Sequence, residues 1–360
     1  MTEFGLDYFE DRRLFRALAQ QFDFEHRALD IAARGPRDET LTIDVARTGP
    51  RKPRRLLAVL SGMHGVEGHA GSALQRQLMA DDLPTLQVPD DTAVLLIHAA
   101  NPFGYAWHRR WNEDNVDLNR NFVDFSHPLP QRPDYAALDT WLNPSDLGDI
   151  EAFVRRGREL VKQHGLSWLH QTLIEGQYDF PRGLYFAGRS PVASNRLLST
   201  LFDAELDGVE IVLVVDLHTG MGDFGDCLYL PGHDPGTPHF AWLEAHFNRA
   251  RFVVPTTDDS SPAVPVAGKL SQWLIDRHEC LRYLTVEFGT FDGERMIASE
   301  RAENWLFFHG NRDSPEADAV LREIRETSAP TDLRWRRRVL AQGGAVLADA
   351  CRAMFGSIGE

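Results

Sequence analysis

Short apolar runs alternate along this chain with amphipathic stretches, and the two periods mark different elements. Leu56 to Leu60, Ala93 to Ile97, Ile211 to Leu217 and Leu284 to Val286 are short and largely apolar, the pattern of strands buried on both faces. Helical spacing of apolar positions runs through Ser72 to Met79, Ile150 to Gln163, Asn195 to Leu206, Phe240 to Phe247, Leu270 to Arg277 and Pro315 to Thr327. It resumes over Asp332 to Phe355, where Gly343 and Gly344 predict a break. Strands alternating with helices in this way predict an α/β fold, a mostly parallel or mixed central sheet with helices on both faces. The prolines clustered between Phe125 and Asn143 predict a long irregular loop. No repeat or linker divides the sequence, so residues 1–360 are read as one catalytic domain, with core motifs in 56–290 and a helical part over 299–355.

Polar residues able to do chemistry fall where those strands end. His64 follows the first predicted strand after Ser61, Gly62 and Met63; His218 directly follows the third and Glu287 the last. Carboxyl ends of strands in open α/β sheets are where such folds build their binding crevices. In SGMHGVEG, His64 and Glu67 stand three apart, close enough for one glycine-rich turn to aim both at the same metal ion. His218 supplies a third ligand, and a His, Glu, His set with a fourth position left to water is the arrangement of catalytic zinc. Asp216, two residues before His218, either lines that site or finishes its strand. His69 is read as satisfied by local backbone, and His233 in LPGHD as a loop residue.

Composition narrows the field. A formal charge of -15 argues against a nucleic-acid surface, which shows as a basic stripe. Cys227, Cys280 and Cys351 lie far apart, form no CxxC pair, and read as reduced thiols of a cytoplasmic protein. The first residues, MTEFGLDYFEDRRLF, lack the basic start and apolar run of a secretory signal. No apolar stretch approaches the roughly 20 residues of a membrane span, so no membrane partner is expected.

The fragments SGMHGVEG, VDLNRN, VVDLHTG and LTVEFGT, taken in order, resemble the zinc carboxypeptidase superfamily, including its aspartoacylase and succinylglutamate desuccinylase branch, over roughly 56–290. The longer stretches NPFGYAWHRRWNEDNVDLNRNF and GQYDFPRGLYFAG look closest to a bacterial branch of that superfamily. The resemblance implies the superfamily's fold and one Zn²⁺ per chain, held by His64, Glu67 and His218. It also implies Glu287 as general base, Arg110 as the arginine that polarises the carbonyl, Asn119 and Arg120 as anchors of a substrate carboxylate, and Asp117 as the acid behind the first zinc histidine. Arg109 competes with Arg110 for its role, and the two cannot both face inward from an extended segment. Tyr178 and Tyr185 lie in a substrate-facing loop; Tyr178 is the candidate hydroxyl donor, while Tyr185, between Leu184 and Phe186, reads equally as core.

These residues imply hydrolysis of an amide next to a free carboxylate, either as a carboxypeptidase or as a deacylase of N-acyl amino acids. The partner is then a small molecule or short peptide. A zinc-dependent esterase or lactonase would use the same apparatus, and a binding protein would keep the fold but have no need of Glu287. No GxSxG elbow follows a strand, which disfavours a serine hydrolase.

Overall fold

A computed structural model of the chain describes residues 4–258 and 261–356. Its described strands are β1 (Glu25–Arg34), β2 (Thr40–Thr48), β3 (Arg55–Ser61), β4 (Thr92–His98), β5 (Ile211–Gly220), β6 (Cys227–Pro231) and β7 (Leu281–Gly289). They form one sheet in the order β1-β2-β4-β3-β5-β7-β6. The four middle strands, β4, β3, β5 and β7, run parallel; on one side β2 pairs antiparallel with β4 and β1 antiparallel with β2, and on the other β6 pairs antiparallel with β7. The sheet is therefore mixed, and the four strands expected from apolar runs are its parallel centre.

Alternate residues of these strands feed two separate cores. Leu56, Ala58, Leu60, Leu95, Ile97, Val212 and Val214 face one way, toward Leu198, Leu201 and Phe202 of the helix Ala193–Leu206. Leu57, Val59, Val94, Leu96, Leu213 and Val215 face the other. They meet Phe15 of the helix Tyr8–Gln21, Leu74 of the helix Gly68–Gln77, and Val339 and Leu347 of the helix Leu333–Phe355. With both faces covered the middle positions of these strands are apolar on both sides, which is why they lack a two-residue alternation, and the polar residues gather at the strand ends.

Three expectations about elements are corrected. The segment between Phe125 and Asn143 contains the helix Pro133–Leu142, whose Tyr135, Leu138 and Leu142 are buried at helical spacing. Pro133 opens it at the first turn, where a missing N–H costs nothing. Gly343 and Gly344 do not break the last helix; a Cβ on Gly343 would stand 2.4 Å from the Leu74 side chain, so the glycine permits close helix packing. Strands β5 and β7 continue through His218 and Glu287, which sit inside the sheet near its edge instead of just after it. Among the described residues no helix is long and apolar enough to cross a membrane.

Candidate metal centre

After β3 the backbone turns through Gly62 (φ +68°) and Gly65 (φ +32°) into a short 3₁₀ turn, Gly65–Glu67, that leads into the helix Gly68–Gln77. A Cβ on Gly65 would lie 2.3 Å from the Arg109 carbonyl oxygen, so only glycine fits there. The same carbonyl accepts a hydrogen bond from Val66 N at 2.9 Å, and Glu67 N donates to His64 O at 3.0 Å. This ties the turn to the Arg109–Arg110 segment and swings His64 and Glu67 to one side.

His218 completes the group from β5. His64 Nδ1 lies 3.0 Å from Glu67 Oε1, His218 Nδ1 lies 3.3 Å from Glu67 Oε2, and the two Nδ1 atoms are 3.2 Å apart. All three side chains are buried, with 6%, 6% and 2% of their residue surface exposed. Each imidazole has a carboxylate at its far nitrogen: His64 Nε2 is 3.5 Å from Asp117 Oδ1, and His218 Nε2 is 2.9 Å from Asp216 Oδ2. Tyr283 donates to that same Asp216 oxygen at 2.7 Å and fixes it. Such carboxylates behind imidazoles set ring orientation and make the near nitrogens better donors to a metal.

Glu287 is the cross-strand partner of His218 in the parallel β5–β7 pair, so both side chains leave the same face of the sheet. Its Oε2 is buried and has no hydrogen-bond partner among the described residues. Burial pushes the Glu287 carboxyl up to about 7, reinforced by Glu67 and opposed by His218 and His64. Glu67 moves the other way: burial would raise it, but the two imidazoles hold it well below the usual carboxylate range. These two neighbouring carboxylates thus differ in proton affinity, the pattern expected where one binds a cation and the other handles protons.

The rest of the predicted site assembles around this group, with one choice settled by packing. Arg109 turns away; its Nε lies 2.8 Å from Glu303 and its guanidinium sits 3.3 Å over the Phe307 ring. Arg110 turns in. Its Nε donates to Asp117 Oδ2 at 3.1 Å, its Nη1 lies 3.3 Å from Glu67 Oε1, and its Nη2 lies 3.0 Å from His64 Nε2. Asp117 also caps the turn Leu118–Arg120 by accepting from Asn119 N at 3.0 Å. Burial would raise Asp117, yet Arg110, Arg120 and His64 hold it well below its ordinary value.

Arg120 is buried, and its Nε and Nη1 donate to the carbonyls of Ile174 (2.7 Å) and Asn119 (2.9 Å). Asn119 spends its own Oδ1 on Leu270 N at 3.0 Å. Tyr178 is buried in the loop beside Arg120 and Arg132, and its carbonyl accepts from Arg189 Nε at 3.1 Å.

Sequence reasoning missed one participant, left two open between site and core or strand end, and misplaced His69. Glu300, from the helix Gly293–Phe308, accepts a hydrogen bond from Tyr185 OH at 2.8 Å and lies 3.7 Å from Arg110 Nη1. Tyr185, in a left-handed backbone conformation (φ +55°), places its ring 5.2 Å from the Arg110 guanidinium and 6.0 Å from that of Arg120. No local signal announces Glu300, which sits in an ordinary amphipathic helix. Asp216 did carry one, since residues two apart on a strand share a face. His69 is not held by local backbone; it lies 3.1 Å from Asp11 Oδ2, 58 residues away. His233 lies elsewhere, edge-on to His239.

The donor set tests well against a metal. One atom each from His64, Glu67 and His218 falls within 4.8 Å of the other two, with carboxylates behind both rings and a partnerless carboxylate oxygen across the strand. Two nitrogens and one carboxylate suit a transition-metal ion better than the all-oxygen shells of calcium or magnesium.

Comparison with known proteins adds the following. No curated protein sequence matches the chain. Among solved structures it is similar to carboxypeptidase A from Helicoverpa armigera (12% identity, 91% of this chain and 75% of that one, TM-score 0.48). It is also similar to a murein-tripeptide amidase from Escherichia coli O157 (16% identity, 79% of this chain and 90% of that one, TM-score 0.37). A third is an aspartoacylase family protein from Mesorhizobium loti (15% identity, 81% of this chain and 68% of that one, TM-score 0.39). With a family profile matching residues 4–342, the chain belongs to the DUF2817 family, described as proteins of unknown function.

Proposed function

We propose that this chain is a zinc-dependent hydrolase that cleaves an amide bond next to a free carboxylate, in short peptides or N-acyl amino acids of modest size. The observation that carries this reading is the buried convergence of His64, Glu67 and His218 opposite a carboxylate, Glu287, whose Oε2 has no partner. A ligand shell alone would serve storage or structure. The added unpaired base is what hydrolysis requires.

Bound zinc would be held by His64, Glu67 and His218 and would supply Lewis acidity toward water and toward a scissile carbonyl. Glu287 takes the proton from the attacking water on a carboxylate oxygen and returns it to the leaving nitrogen. Its raised proton affinity, about 7, suits both halves of that transfer near neutral pH. Arg110, held in place by Asp117, sets positive charge beside the developing oxyanion. Asp117 and Asp216 keep the imidazoles oriented. Arg120 and Asn119 hold the substrate carboxylate; among the described residues no acceptor is bonded to Arg120 Nη2, so that edge is free for an anion.

The test has two parts. Elemental analysis of reconstituted protein should find one zinc per chain, and His64→Ala and His218→Ala should each lose it. A panel of short peptides and N-acyl amino acids, each as free acid and as amide, should show turnover only or mainly on the free acids. Equal rates on both forms would remove Arg120 from the anchoring role, and full zinc occupancy in both histidine variants would overturn the ligand assignment.

A further inference from the structure

Among the described residues three carboxylates surround Arg110, and they do not meet it alike. Asp117 Oδ2 accepts from Nε at 3.1 Å, whereas Glu67 Oε1 lies 3.3 Å and Glu300 Oε1 3.7 Å from the same Nη1. Glu67 belongs to the ligand set, so its oxygens are claimed when a metal is bound. Glu300 is then the carboxylate left to hold Nη1. It is buried on the helix Gly293–Phe308, which follows Glu287 in the chain. One turn further along, Glu303 meets Arg109 Nε at 2.8 Å, and the Phe307 ring lies 3.3 Å from the Arg109 guanidinium. Positions 300, 303 and 307 share one helix face, so successive turns of one helix grip consecutive arginines. Arg109 and Glu303 are fully buried, and their pair fixes the backbone from which Arg110 leaves.

Tyr185 holds Glu300 in turn. Its hydroxyl donates to Glu300 Oε2 at 2.8 Å, which leaves Oε1 facing Arg110. The tyrosine ring lies 5.2 Å from the Arg110 guanidinium, within the range of attraction between a cation and an aromatic face. At φ +55° this bulky residue sits in a left-handed conformation that costs energy and persists where its surroundings enforce it. Here three consecutive carbonyls are engaged. Leu184 O accepts from Tyr135 OH at 2.8 Å, Tyr185 O from Gln177 N at 3.1 Å, and Phe186 O from Asp117 N at 2.8 Å. The last bond sews the tyrosine segment onto the same Asp117 that holds Arg110 Nε. Because the ring also packs in a small core with Trp111 and Leu173, the hydroxyl is what separates a role at the site from one in packing.

Resting on the hydrolase reading, we infer that Glu300 and Tyr185 are positioning residues, a carboxylate and phenol pair that holds the Arg110 guanidinium where the developing oxyanion requires it. They act through Arg110 and not on the substrate. Asp117 at Nε and Glu300 at Nη1 fix both the place and the plane of the rigid guanidinium, whereas either acid alone leaves it free to swing.

The experiment uses the zinc-loaded full chain and its Glu300→Leu, Glu300→Gln and Tyr185→Phe variants. On a free-acid substrate that wild type cleaves, Glu300→Leu should lower kcat about ten- to a hundredfold and leave KM within about twofold, since Arg120 and Asn119 are untouched. Glu300→Gln keeps an acceptor for Arg110 and a partner for the tyrosine hydroxyl, so it should recover most of that loss. Tyr185→Phe keeps the ring and should fall between wild type and Glu300→Leu. In an Arg110→Ala background Glu300→Leu should cause no further loss, because the residue it works through is gone. Crystal structures locate Arg110 directly: its Nη1 should lie within hydrogen-bond distance of Glu300 in zinc-loaded wild type and be displaced in Glu300→Leu and Tyr185→Phe. An Arg110 that stays in place in both variants, a loss that appears in KM instead of kcat, or a full loss in the Arg110→Ala background overturns the inference. If Glu300→Leu does not fold, Tyr185→Phe decides by the same measures. Wild type inactive on every free-acid amide overturns the proposed reaction instead, and the crystallographic comparison still decides what holds Arg110.

Discussion

The short segment from Gly65 to Arg76 has a buried polar cluster on each side, and the two differ in what their atoms are aimed at. On one side His64 and Glu67 converge with His218, and the Glu287 oxygen nearby is unmatched. On the other, Asp11 from the N-terminal helix is fully engaged. Its Oδ1 accepts from Arg76 Nη2 (2.8 Å) and Gly5 N (3.1 Å), and its Oδ2 meets His69 Nδ1 (3.1 Å) and the Tyr105 hydroxyl. Both clusters are desolvated, so burial alone does not distinguish a working site from a structural one. Satisfaction of the carboxylate does: both Asp11 oxygens are taken up within their cluster, which fastens the N-terminal helix to the helix Gly68–Gln77 and, among the described residues, leaves only His69 Nε2 without a partner, whereas the histidine group leaves ligand atoms pointing at a common centre and the Glu287 Oε2 unmatched.

The largest expected effect separates the two sides by activity. Glu287→Gln keeps the shape of the side chain but cannot accept a proton, so turnover on an amide substrate should fall by about 10² to 10⁴, or roughly 3 to 5 kcal/mol in barrier. Zinc content and melting temperature should be unchanged. Near-wild-type turnover in a zinc-replete variant would take Glu287 out of the base role and blur the contrast.

Asp11→Ala attacks the other side. It removes the carboxylate from beside Arg76 and takes the acceptor from Tyr105 OH and Gly5 N, so unfolding free energy should drop by about 3 to 5 kcal/mol. Zinc stoichiometry, measured well below the melting transition, should stay at one per chain. A variant that melts normally but fails to hold zinc would show that the two clusters are one functional unit.

The same contrast explains what could be read from the sequence. His64, Glu67, His218 and Glu287 are legible because each sits at or beside the carboxyl end of an apolar run, and the two-residue rule could have added Asp216. The parallel centre of the sheet was legible for the same reason. Its antiparallel margin was not. In β2, Thr42, Asp44 and Arg47 are buried because Asp44 meets Arg16 and His26, and Arg47 meets Glu205, none of them close in sequence. β1 is an edge strand, largely exposed, and β6 has only five residues. The N-terminal helix shows Tyr8, Asp11, Phe15 and Ala19 on one face, but an acid in that stripe hides the amphipathic period. Glu300 escaped because its meaning comes from long-range partners, Tyr185 and Arg110.

The smallest expected effect concerns pH and again probes the closed side. His98, at the end of β4, is wholly buried, stacks on Phe15 with ring centroids 4.9 Å apart, and has Nε2 3.1 Å from Ser72 Oγ, while Nδ1 is without a partner among the described residues. Burial lowers it to about 4 from an ordinary 6.5, despite the opposing pull of Asp44 and Asp11. Between those values the unfolded chain binds a proton that the folded one refuses, so this contribution to stability is full above 6.5 and declines as pH falls toward 4. The slope is at most about 1.4 kcal/mol per pH unit. Unfolding titrations at pH 7 and pH 5 should therefore show wild type losing about 2 kcal/mol more than His98→Asn, since His108, His233 and the carboxylates are common to both proteins and cancel. Parallel losses would mean that His98 takes its proton inside the fold, and that the polar groups behind the N-terminal helix are less closed than those of the metal centre.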